Sequence, residues 1–214
     1  MLGTNRLLVI GGHSFQSMTT APLKNERESV MQRTILWHER QDLSTEYCAI
    51  TSHDGGVRFA GIVLQPVENR PLQVRYTVEV DEQWRTRDVE IQTETLDAAT
   101  HLHLTADGDG TWRRDGVMVP DLVGCLDVDL GITPATNTLP IRRLGLRLGE
   151  GAEIAAAWVR FPDLSVQRQQ QHYDRLADDR YRYQAGDFTA ELVVDPDGIV
   201  QDYGSAWQVI AQEG

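Results

Sequence analysis

Cysteine is almost absent. The chain holds 2 in 214 residues, Cys48 and Cys125, each among apolar neighbours. That excludes a disulfide framework and reads as two buried, reduced thiols of a cytoplasmic protein. Long apolar runs are missing as well. Near the N-terminus only Leu7 to Ile10 is continuously apolar, far short of the roughly 7 to 15 residues of a signal-peptide core or the roughly 18 of a membrane span. Neither secretion nor a membrane-spanning segment is therefore expected. Basic residues are outnumbered, 20 against 32 acidic ones, for a formal net charge of -12. Such a field repels phosphate backbones, so nucleic acid is not an expected partner.

Catalytic and cofactor signatures are lacking too. Gly11-Gly12 follows an apolar run but opens no G-x-G-x-x-G. Ser14, Ser44 and Ser52 sit in no G-x-S-x-G elbow. His101 and His103 would share one strand face, but no H-E-x-x-H or cysteine pair accompanies them, so neither a metal nor a cofactor is expected.

What the chain has is period-two alternation. In "PLQVRYTVEVD", Leu72, Val74, Tyr76, Val78 and Val80 fall on one face and Gln73, Arg75, Thr77, Glu79 and Asp81 on the other, the pattern of a strand with one wet face. "TRDVEIQTET", "HLHLTA" and "DFTAELVVD" repeat it, separated by "HDGG", "DGDG" and "DPDG", whose glycines and aspartates suit tight turns. "VRFAGIVLQ" and "AEIAAAWVRF" are apolar on both faces, which requires a sheet that curls over itself or carries an internal plug. "SVQRQQQHYDRLADDRYRY" fits a helix face through Val166, Tyr173, Leu176 and Ala177 but alternates at Tyr181 and Tyr183. The expected fold is all-β, mainly antiparallel: a large curled sheet, open barrel or roll with one or two short helices. Residues 1–33, without a periodic apolar face, are expected to form a poorly ordered N-terminal extension, and residues 34–210 one domain.

The stretch "TWRRDGVMVPDLVGCLDVDLGITPATNTLPIRRL", Thr111 to Leu144, resembles the bacterial putative glycolipid-binding family. Its hallmark is a Trp, then a "GC-x-D-V-D" strand, then "TP-x-TNTLPIRRL". The likeness runs from about Ile35 to Trp207, and Ala135 stands where that pattern carries a bulky Phe. The resemblance implies a curled antiparallel sheet with a concave, partly apolar interior, similar to lipoprotein carriers, and a lipid or glycolipid ligand.

Read as chemistry, "TNTLPIRRL" combines Asn137 and Thr138 with Arg142 and Arg143 near Asp127 and Asp129. Pro140 is expected at the first position of a helical turn, which would fix the direction of both guanidinium groups. One reading has a bidentate Arg–carboxylate pair locking the loop to the sheet, with Arg143 as the anchor. The other has Arg142 and Asn137 facing a cavity and meeting a phosphate or sugar. Trp37, Trp112 and Tyr173 are candidates for stacking on a ligand as well as for core packing. Glu39, Asp42 and Glu46 cluster near the first strand, either as acid–base groups or as a solvated strand end. The preferred reading is a non-enzymatic cytoplasmic binding protein whose apolar inner faces hold an amphiphile's tail. The alternatives are an enzyme acting on a sugar-like or lipid-like molecule through carboxylates, and an interaction module without a ligand.

Overall fold

The computed structural model describes residues 31–214. The expectation for the N-terminal extension thus lies, over residues 1–30, outside the described residues. Pairing begins at Gln32, slightly ahead of the expected boundary. Eight strands come first: β1 (Gln32–Glu39), β2 (Thr45–His53), β3 (Gly56–Val67), β4 (Arg70–Asp81), β5 (Thr86–Glu94), β6 (Ala99–Ala106), β7 (Trp112–Arg114) and β8 (Val117–Met118). After a crossing segment come β9 (Asp127–Leu130), the helix α1 (Thr138–Leu144) and six more strands. These are β10 (Gly151–Val159), β11 (Val166–Ala177), β12 (Arg180–Ala185), β13 (Phe188–Val194), β14 (Val200–Tyr203) and β15 (Trp207–Glu213).

All of them join one sheet of 15 strands, ordered β8 through β1, then β15 through β9. The sheet does not close, and β8 and β9 are its two edges. Every pairing is antiparallel except β9 with β10. A parallel pair needs a crossover of a dozen or more residues, usually helical, and residues 131–150, with α1, supply it. The "TPATNTLPIRRL" stretch is therefore the crossover of a βαβ unit.

Alternation assigns the inner face. Leu72, Val74, Tyr76, Val78 and Val80 of β4 are all buried, as are Val89 and Ile91 of β5 and Leu102 and Leu104 of β6. The doubly apolar β10 is explained by the roll of the sheet. Ala156 and Trp158 pair in register with Asp127 and Asp129 and share their face, while Ala157 and Val159 share the opposite face with Val128 and Leu130. That second set belongs to the same core cluster as Val78, Val89 and Leu104. The β9–β10 end is thus tucked inside the sheet's first half, and Thr86 fastens it: its N–H donates to Leu126 O at 3.0 Å and its Oγ1 accepts from Val128 N–H at 3.0 Å. Residues 166–183, ambiguous by pattern, are the hairpin β11–β12 and not a helix. Their inner face carries Tyr173, Tyr181 and Tyr183, which the core requires.

One close approach constrains the sequence. Gly61 lies opposite Tyr76 in register, and the phenol ring crosses over it, so that a Cβ at Gly61 would stand 2.2 Å from ring atoms. We expect Gly61→Ala to cost about 1–3 kcal/mol through overpacking, and Tyr76→Ala in the same chain to recover part of the loss. Thermal melts of the two single variants and the double variant check this, and strictly additive losses would contradict it.

Candidate functional site

The crossover is built to hold its place. A turn of 3-10 helix at Ala135–Asn137 runs directly into α1, so Pro140 is the third helical residue and not the first. It is still tolerated there, because first-turn N–H groups have no intrahelical partner. Gly145, at φ 54°, ends the helix with its N–H on Ile141 O. Arg142 and Arg143 fall in the last turn, where cations favour the helix dipole. Arg143 grips Asp127 with two bonds, Nε to Oδ1 at 2.9 Å and Nη2 to Oδ2 at 2.5 Å. Burial pushes the Asp127 carboxyl up, and the guanidinium pulls it back down. Arg142 projects the other way. It is exposed and lies over the Trp84 ring, 4.8 Å from its centroid.

Glu46 overturns the expectation of a solvated strand end. It points inward from β2, is fully buried, and accepts hydrogen bonds from Tyr76 Oη and from Thr133 Oγ1 of the crossover. Burial raises its pKa to about 7, against the two hydroxyls that lower it. Glu39 does occupy the strand end, where its carboxylate caps the N–H groups of Gln41 and Asp42.

Two cavities flank α1 on the inner face. At its Asn137 end a space of about 450 Å³ is lined by Asp129, Thr133, Asn137 and Gln169, with Trp158, Tyr183, Phe188, Tyr203 and Trp207 as its aromatic wall. Phe188 and Tyr203 stack nearly parallel, 14° between planes and 6.2 Å between centroids. Asp129 is held by Gln171 Nε2 at 2.6 Å and faces the Tyr183 hydroxyl at 3.4 Å. Its surface opens to the cavity, but the surrounding protein displaces bulk water and raises its pKa to about 6. Asn137 donates to Tyr173 Oη at 2.9 Å. At the other end of α1, Arg142 borders a second space of about 460 Å³ with Trp84, Arg175, Tyr181 and three aspartates, Asp178, Asp179 and Asp195.

The sequence candidates thus separate. Asp129 and Asn137 border the first cavity, with Tyr173 directly behind Asn137. Arg143 and Asp127 form the buried pair, and Arg142 borders the second cavity. Trp37 and Trp112 are fully buried, with indole N–H groups on Val200 O and Cys125 O. Thr138 is buried, and its hydroxyl lacks a hydrogen-bond partner. Both cysteines are buried free thiols. Sequence reasoning missed Tyr203, Phe188 and Gln169 as cavity residues, because their strands meet β9 only once the sheet has rolled.

These features define a class: an open antiparallel sheet rolled around its own βαβ crossover, with a ligand-sized cavity at each end of the crossover helix. The chain belongs to the family described as "Putative glycolipid-binding", whose family model matches residues 34–209. It is also similar to a crystal structure of a DUF1089 family protein from Pseudomonas aeruginosa, with 37% identity and a TM-score of 0.71 over 77% of this chain and 91% of that one. No curated protein matches it. Among the described residues, no helix is long and apolar enough to cross a membrane.

Two outcomes are expected. Arg143→Met should leave Asp127 buried and unpaired at a cost of about 3–5 kcal/mol. Arg142→Met should forfeit only an exposed cation–π contact, about 0.5–1 kcal/mol. Denaturant melts of both variants compare them, and equal losses would contradict the division.

The second outcome concerns pH. Glu46 holds its proton more tightly folded than unfolded, so the native state binds more protons between pH 4.5 and 7 and stability falls as pH rises through that window. Full ionisation costs about 3 kcal/mol at this site. Glu46→Gln should therefore flatten the dependence of stability on pH over the window and exceed the parent protein above it. An unchanged slope would show that Glu46 ionises normally.

Proposed function

We propose that the protein binds an amphipathic ligand through an uncharged, hydroxyl-rich head seated in the cavity at the Asn137 end of the crossover. A glycolipid or short alkyl glycoside is the class this fits. The observation that carries the reading is the composition of the wall: among the described residues Asp129 is its one charged member, Asn137 and Gln169 add amides, and aromatic faces complete it. Carboxylates, amides and tyrosine hydroxyls match sugar hydroxyls, and aromatic faces match the apolar faces of a sugar ring. Among the described residues no lysine, arginine or histidine lines the cavity, so an anionic head would meet Asp129 without a counter-charge there. The size lies within the roughly 300–1,000 Å³ usual for ligand pockets.

The head therefore does not meet the arginine pair. Nor does the tail enter the sheet, because the inner face of β1–β6 is packed with side chains. It runs outward past Phe188, whose ring is 49% exposed at the rim. Two free, buried thiols accord with a cytoplasmic setting.

Tryptophan fluorescence, with Trp158 and Trp207 on the wall, provides the test. Octyl glucoside below its micelle concentration should produce a saturable change and octyl phosphate none. Tyr203→Ala should weaken glucoside binding by about tenfold, the equivalent of one aromatic contact. A glucoside response that does not saturate, or one untouched by Tyr203→Ala, would refute the assignment.

A further inference from the structure

The outer face of β5 and β6, on the opposite side of the sheet from the cavity, carries a separate cluster. Asp88 and Glu90 alternate along β5, His101 and His103 along β6, and Glu90 registers directly opposite His103. The geometry points to a divalent transition-metal site at Asp88, Glu90 and His103, with Zn²⁺ as the ion the donor set fits and His101 holding Glu90 from outside the site.

Glu90 stands between both imidazoles. Its Oε2 is 2.5 Å from His101 Nε2, and its Oε1 is 3.8 Å from His103 Nε2. His103 Nε2 is also 2.8 Å from Asp88 Oδ2. One donor atom each from Asp88, Glu90 and His103 lies within 4.8 Å of the others. Hydrogen bonding does not settle such a group. A neutral imidazole has a single N–H, so His103 Nε2 can serve only one of the two carboxylates it faces. Asp115, close to His103, adds further negative charge.

Several other carboxylates hold arginines, Glu79 with Arg58, Asp81 with Arg85, Asp195 with Arg33 and Asp202 with Arg40, while Glu153 and Asp174 face only His172 among the described residues. Among the described residues, Asp88 and Glu90 are paired with imidazoles alone. Two carboxylates neutralise a divalent cation, and one imidazole nitrogen with two carboxylate oxygens makes a three-ligand set of the kind Zn²⁺ takes, at roughly 2.0–2.2 Å, with water in the fourth position. The strand pair fixes the three Cβ positions before any ion arrives, which limits the ordering cost of binding. The ion would clip β5 to β6 near the β8 edge of the sheet.

Calorimetric titration of ZnCl₂ into the full chain at neutral pH tests this. One Zn²⁺ per chain is expected, accompanied by a rise in Tm, with no response to MgCl₂, which imidazole ligands do not favour. His103→Ala, at a solvent-accessible position, should weaken binding by about tenfold or more, and His101→Ala, which removes only a contact to Glu90, should weaken it less than His103→Ala does. His172→Ala should not weaken it, although His172 has its own carboxylates, Glu153 and Asp174. Metal-free melts of the variants should match the parent, and Co²⁺ loading should give visible d–d bands that vanish in His103→Ala. No heat and no Tm change with Zn²⁺, or uptake that persists in the His101→Ala/His103→Ala double variant, would overturn the site.

Discussion

An open sheet with one apolar face must bury that face, and the described residues form no second sheet. Everything in the architecture follows from this constraint. The sheet rolls until its β9–β10 end lies inside its own first half, so Val128, Leu130, Ala157 and Val159 on one side of that end complete the main core. The other side is not covered in the same way, because among the described residues no further strand remains to roll over it. The crossover helix fills that gap, with Ile141 packed among Tyr173, Tyr181 and Leu192. The Arg143–Asp127 pair, closed by two bonds, fastens the helix to the strand before it. Since a buried pair of this kind is weak evidence for net stability, its value lies in fixing one position for the helix. The cavity depends on that position, because Asn137 and Thr133 are carried on the same crossover as Arg143.

Polar groups inside the roll divide by exposure to the cavity. Glu46 is sealed between two hydroxyls, and Asp129 opens on the aromatic wall. Both carboxyls are shifted upward by the same cause, loss of water, but only Asp129 has a surface that a ligand hydroxyl could reach. The arginine-rich motif, the most conspicuous charge in the crossover, contributes placement at Arg143 and an exposed stack on Trp84 at Arg142.

Much of the fold was legible in the sequence. Alternation marked the strands because their outer faces are wet, and the doubly apolar "AEIAAAWVRF" announced a sheet covered twice. The hairpin β11–β12 was not legible, since Val166, Tyr173, Leu176 and Ala177 sit at helical spacing while Tyr181 and Tyr183 alternate, and only the packing of the tyrosines decides between the two periods. Part of the site was visible in the hallmark stretch, where Asn137 and Asp129 both prove to line the cavity. Phe188, Tyr203 and Gln169 were not, because nothing local distinguishes an aromatic or amide that faces a cavity from one that faces a core. Glu46 was misjudged for the same reason: a glutamate near a strand start looks solvated until Thr133, far along the chain, arrives to cover it.

The seam between β1 and β15 joins the two ends of the described chain, with Thr34 opposite Glu213. Read across the sheet from β9 to β8, the strands follow chain order everywhere except at that seam. A chain joined there and opened between β8 and β9 would be an antiparallel meander from β10 onward, with every neighbour in the sheet also a neighbour in sequence. In the natural connectivity the two halves can each zip locally, strand by strand, but the contact that unites them spans nearly the whole chain. Closing it carries the largest loop entropy in the molecule, which places the seam among the slow, non-local steps of assembly.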